Sequence, residues 1–84
     1  MLLHEVLDGI LAECTRQKQL WGSQRHHSLE KWYTILGEEI GELAKEILEL
    51  PEKDDKMYEE NLSKLKVEAI QCAAVICSML EVIE

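Results

Sequence analysis

Two short stretches decide how this chain is read: Glu38-Glu39-Ile40-Gly41-Glu42 and Glu68-Ala69-Ile70-Gln71. Glu39 and Glu42 stand three residues apart, as do Glu68 and Gln71, so each pair shares one face of a helix. The second stretch sits in an apolar run over residues 67–80. A carboxylate among apolar neighbours is costly unless something compensates its charge. A metal ion is the simplest compensation.

Working outward, the surroundings of both stretches are helical. Leu3, Val6, Leu7, Ile10, Leu11 and Cys14 recur at helical spacing, which predicts a first helix over residues 2–20. Gly22 is placed to stop it in a left-handed conformation. Residues 24–27 form a connector, and Ser28 is a good N-cap for a second helix over residues 29–50, with Glu30 well placed in its first turn. The expected apolar stripe of that helix is Trp32, Ile35, Leu36, Ile40, Leu43, Ala44, Ile47 and Leu50. Pro51 enforces its end. Residues 52–55 make a polar turn, with Asp54 or Asp55 able to cap a third helix over residues 56–83. The second half of that helix is apolar nearly all round and must be covered on every side.

The expected fold is therefore all-α: one domain over residues 1–84, with three main helices completing a helical bundle through oligomerisation. Eighty-four residues lie near the lower limit of independent stability. A hydrophobic content of 46% excludes a disordered chain, and four glycines with one proline leave little room for a turn-rich β fold. The net charge of −8, from 17 acidic against 9 basic residues, argues against nucleic acid and anionic membranes as partners. It suits a site that concentrates cations. Cys14, Cys72 and Cys77 form no Cys-x-x-Cys pair and read as small core residues in a reducing cytoplasm. No leader is expected at the start, because His4 and Glu5 directly follow Met1-Leu2-Leu3. Glu68, Gln71, Ser78 and Glu81 interrupt the last apolar run, making a buried helix the better reading than a membrane span.

If the second and third helices form an antiparallel hairpin, the acidic stretches come level. Glu39 and Glu42 lie about ten residues, roughly 14 Å, from the end of their helix, and Glu68 and Gln71 about twelve residues, roughly 19 Å, from the start of theirs. Glu39, Glu42, Glu68 and Gln71 then form an oxygen-rich cluster that suits Mg²⁺ or Mn²⁺. A di-iron centre would want Glu-x-x-His, which is absent. The alternative is a solvated helix face, with Lys45 pairing locally to Glu42 or Glu46, and Lys64 to Glu68.

These residues resemble the metal-binding pattern of the MazG-like nucleotide pyrophosphohydrolases, Glu-Glu-x-x-Glu on one helix and Glu-x-x-Asp on the next. The stretch Trp21-Gly22-Ser23-Gln24-Arg25-His26 resembles the Trp-Gly-x-Gln-x-His segment of the small bacterial and phage members. Gln71-Cys72-Ala73-Ala74-Val75 resembles their Gln-x-Ala-Ala-Val stretch. The resemblance spans about residues 16–81. Gln71 departs from the wider family, offering an amide oxygen without charge where Asp stands.

The resemblance implies an all-α homodimer or homotetramer. It also implies Mg²⁺-dependent cleavage of a nucleoside triphosphate to the monophosphate and pyrophosphate, a nucleotide-pool house-cleaning activity. Glu39, Glu42, Glu68 and Gln71 are then the metal residues. Glu38 and Glu39 are the catalytic candidates, with Glu38 a further ligand or general base. Lys18, Arg25 and Lys31 are candidates for binding the triphosphate, Trp21 for stacking on the base and Gln24 for reading its edge. Arg16 is a further cation nearby. Trp21 could equally plug the core, and each cation could be ordinary solvated surface. Trp32, Tyr33 and Tyr58 read as packing. A non-catalytic helical interaction module of the same fold is the competing expectation. Gln71 favours it, and the retained Glu39, Glu42 and Glu68 count against it.

Overall fold

A computed structural model describes residues 1–83, and within them the chain is all-helical, without strands. Helix α1 runs Leu3–Trp21, α2 runs Leu29–Leu48 and α3 runs Tyr58–Val82. The breaks follow local chemistry. Gly22, at φ 70°, turns the chain out of α1 while its N–H donates to the Lys18 carbonyl at 2.8 Å. Its ψ of −166° places it outside the left-handed helical well, in a region open to glycine. Ser28 caps α2, its hydroxyl accepting from the Lys31 N–H at 3.1 Å. The Asp55 carboxylate accepts from the Met57 N–H at 2.7 Å and organises the entry to α3.

Helix α2 stops at Leu48, two residues before the position expected from Pro51. The Leu50 N–H reaches the Ile47 carbonyl at 3.3 Å, so the last turn tightens ahead of the proline. Helix α3 likewise begins at Tyr58, because the expected first residues are spent in the Asp55 turn.

Helix α3 packs against both α2 and α1, whereas α1 and α2 do not pack on each other. Chain direction follows from the neighbours. Gly9 faces Ile70 and Cys14 faces Ala74, while Lys18 meets Glu81, so α1 and α3 run parallel. Trp32, early in α2, shares a cavity with Val82 at the end of α3, so those two helices run antiparallel.

The core is small. Cys14, Trp32, Cys72, Ala74 and Val75 are buried, with Gln17 a polar member. Trp32 is its largest buried side chain, at 1% exposed. Truncating a buried Trp to Ala costs roughly 3–5 kcal/mol, which makes Trp32 the anchor between α2 and the end of α3.

The inward face of α2 differs from the expected apolar stripe. Trp32, Ile35, Leu36, Glu39, Leu43, Glu46 and Leu50 are covered wholly or in part, while Ile40, Ala44 and Ile47 are exposed. Two carboxylates thus occupy inward positions and two isoleucines face out. On α1, likewise, Leu3, Leu7 and Leu11 are exposed, and the covered line runs through Val6, Gly9, Ile10, Glu13, Cys14 and Gln17. On α3, Val67, Ile76 and Leu80 remain exposed, as does Ile83 just beyond it. No helix of the described residues is long and apolar enough to cross a membrane.

Candidate metal and ligand site

Antiparallel packing brings the two quoted stretches together. Glu68 feels the charges of Glu39, Glu42 and Glu46 across the α2–α3 seam. Its Oε2 is buried without a hydrogen-bond partner among the described residues. Burial first, and then those three charges, raise its pKa above the ordinary value of 4.5. Glu39 is raised as well, by burial first and then by Glu42, Glu13 and Glu38, with Arg16 pulling the other way.

Two residues of this cluster lie outside the expected set. Glu46, named only as a local partner for Lys45 in the solvated-face alternative, takes an inward position and acts on Glu68. Glu13 contributes from α1. Arg16 grips it through two 2.7 Å hydrogen bonds, and the Gln17 side-chain amide donates to it at 2.9 Å. The Arg16 hydrogen bond is the largest cause holding Glu13 below its ordinary pKa, against the opposing effect of burial. Glu13 stands one turn beyond Ile10, and Gln17 one turn beyond Glu13, but a carboxylate beside Arg16 reads as surface until the helix face is known.

The solvated-face alternative needed lysine partners. Among the described residues the ion pairs are Arg16–Glu13 and Lys18–Glu81, and Lys45 and Lys64 make none with the cluster. Glu38 and Glu42 are exposed at its rim, and Gln71 is half-buried one turn beyond Glu68. Buried Cys72 lies near enough that Glu39 and Glu68, after burial, push its thiol pKa up.

An orphaned, buried carboxylate oxygen with other carboxylates crowding it is the environment a hard cation relieves. The donors are oxygen atoms, which suits Mg²⁺ or Mn²⁺. As they stand, no three His, Cys, Asp or Glu side chains among the described residues are gathered tightly enough to hold an ion.

At the end of the bundle lies a cavity of about 240 Å³. Gln17, Lys18, Gln24, Arg25, Trp32 and Ser78 are among its walls. Gln17 is thus a shared element, lining the cavity and donating to Glu13 of the acidic cluster. The expected ligand-binding residues Lys18, Gln24 and Arg25 are here. Lys18 is held by Glu81 at 2.9 Å. Trp21, 57% exposed, neither plugs the core nor lines the cavity, and Lys31 is an exposed residue of the first turn of α2 away from its walls. Trp32, read only as packing, is both core anchor and cavity wall.

Comparison with protein-family models, curated proteins and solved structures finds no match to this chain.

Proposed function

We propose that this chain is a Mg²⁺-dependent nucleoside triphosphate pyrophosphohydrolase of MazG-like type, releasing a nucleoside monophosphate and pyrophosphate. The observation that carries the proposal is the buried, unpartnered Glu68 Oε2 facing the charges of Glu39, Glu42 and Glu46. Such crowding is a liability for a chain of marginal stability unless a cation offsets it.

Glu39, Glu42 and Glu68 would hold the ion, with Gln71 adding a neutral oxygen. Bound there, Mg²⁺ supplies positive charge against the phosphate oxygens and acidifies water at neutral pH. Glu38, exposed at the rim, would accept the proton of the attacking water. Lys18 and Arg25, on the cavity wall, would draw the anionic tail of the substrate. Lys18 exchanges its Glu81 partner for phosphate in doing so. The exposed apolar faces of α1 and α2 support assembly as a homodimer or homotetramer.

A second reading is a non-catalytic helical interaction module, favoured by Gln71, which stands half-buried one turn beyond Glu68 and brings no charge to the cluster. Product analysis with each common NTP and dNTP, in Mg²⁺ and in EDTA, separates the two. Monophosphate plus pyrophosphate, lost in EDTA, is the expected outcome. No turnover, together with no rise in melting temperature on adding Mg²⁺ or Mn²⁺, moves the assignment to the module.

A further inference from the structure

The face of α3 turned toward α1 carries a thiol that the proposed chemistry does not use. Gly9 of α1 lies against Ile70, Cys14 against Ala74 and Lys18 against Glu81. Ile70, Ala74, Cys77 and Glu81 follow one another at steps of four, three and four residues, which is a single helix face. Ile70, Ala74 and Glu81 meet α1, and Cys77 stands between the last two. Because α1 and α3 run parallel, the stretch of α1 opposite Cys77 begins at Cys14 and ends at Lys18.

Cys14 is aimed at this stretch. Its Sγ lies 3.8 Å from the Ala74 carbonyl oxygen. A helical carbonyl points along the axis toward the next turn, so that oxygen is flanked by residues 77 and 78. Helical side chains lean back toward the N-terminus, which brings the Cys77 side chain over the Ala74 turn, where the Cys14 sulfur sits. Burial first, and then the charges of Cys77 and Glu81, push the Cys14 thiol pKa up, while Lys18 and Ser78 oppose them. Cys72 belongs to the other seam, where Glu39 and Glu68 act on it after burial. The two facing thiols differ in access: Cys14 is 7% exposed, whereas Cys77 is half-buried and open to a reagent.

We propose that Cys14 and Cys77 are a redox-active thiol pair, which a small-molecule disulfide such as oxidised glutathione converts to an internal disulfide bridging α1 and α3. The Cys77 thiolate attacks one sulfur of the reagent, forming a mixed disulfide and releasing one glutathione thiolate. Cys14 then gives up its proton and attacks the Cys77 sulfur, forming the internal bond and releasing the second. The two protein thiols are oxidised, the reagent is reduced, and the two protons lost by the cysteines are taken up as two glutathione thiols.

The bridge acts where the fold is least redundant. Helix α1 packs on α3 and not on α2, so one covalent bond fixes its only attachment. Glu13 and Gln17, on either side of Cys14, are fixed with it.

Reduced wild-type protein is equilibrated with oxidised glutathione, alkylated, digested without reductant and mapped by mass spectrometry. The expected product is a single chain lighter by two hydrogens, with the Cys14 and Cys77 peptides joined, and reduced glutathione reverses it. Its melting temperature is expected to rise by about 8 °C or more. Cys72→Ser should form the same bond, and Cys77→Ser should form none. Cys77 remaining as a glutathione adduct overturns the proposal, as do three thiols that all stay reduced, a bridge to Cys72 or a bond between two chains. A bridged chain that melts no higher than the reduced one also overturns it, because the folded backbone would not then hold the two thiols within bonding range. Neither metal nor nucleotide enters this experiment, so its result is separate from that of the hydrolysis assay.

Discussion

Glu68 and Glu39 bind protons more tightly in the folded chain than in the unfolded one, because burial and neighbouring carboxylates raise their pKa. Their contribution to stability is therefore present at low pH and lost as pH rises through their folded pKa values. Glu13 works in the opposite sense. Its pKa is lowered, chiefly by Arg16, so its contribution is present above its ordinary value of 4.5 and lost on further acidification. In EDTA the melting temperature is expected to rise as pH falls from neutral toward the carboxylate range, and then to turn down. Glu68→Gln should make that rise smaller and weaken Mg²⁺ binding by at least about tenfold. Thermal melts across pH, with and without Mg²⁺, read both effects. An unchanged rise in the variant would remove Glu68 from the cluster. Glu39, Glu42 and Glu68 were legible in the sequence because carboxylates at one-turn spacing stand against apolar neighbours. Glu13 and Glu46 were not, because a charged residue beside Arg16 or Lys45 reads as solvated surface until its helix face is known.

At the scale of the elements, helix existence and order were legible because Gly22, Ser28 and Pro51 act locally. Each stops or starts a helix through its own backbone or side chain. The facing of each helix was less legible. In α2, Ile40 and Ile47 obey helical periodicity as well as Trp32 and Leu43 do, and only packing against α3 decides which line is covered. Trp21 shows the same limit: a large aromatic at a helix end carries no local information about which way it points. The Ser28 cap is a local device and should behave as one. Ser28→Ala is expected to cost about 1 kcal/mol, or about 4–8 °C in melting temperature for a chain of this size. Thermal denaturation measures it, and a change within error would show that α2 is held by its seam alone.

The whole molecule exposes 6193 Å². Area–mass scaling gives about 5,100 Å² for a compact monomer of 9.7 kDa, so the surface is about a fifth larger than expected. The exposed surface includes Leu3, Leu7 and Leu11 on α1 and Ile40 and Ile47 on α2. Association of two or more copies is the expected solution state. Sedimentation velocity should report a dimer or larger species, and the double variant Ile40→Lys, Ile47→Lys should shift it toward monomer. Wild-type monomer at every concentration would show that these faces serve something other than self-association.

The order of packing has a consequence for how the chain is made. Helix α1 has no partner in α2; it docks on α3, through pairs such as Cys14 with Ala74, sixty residues apart, and Lys18 with Glu81, sixty-three apart. During synthesis, at about 5–20 residues per second, α1 emerges first and waits several seconds for its only surface of attachment. Closing so long a loop is slow compared with folding of the neighbouring hairpin. Through that interval the exposed leucines of α1 are what a chaperone or a second nascent chain would meet.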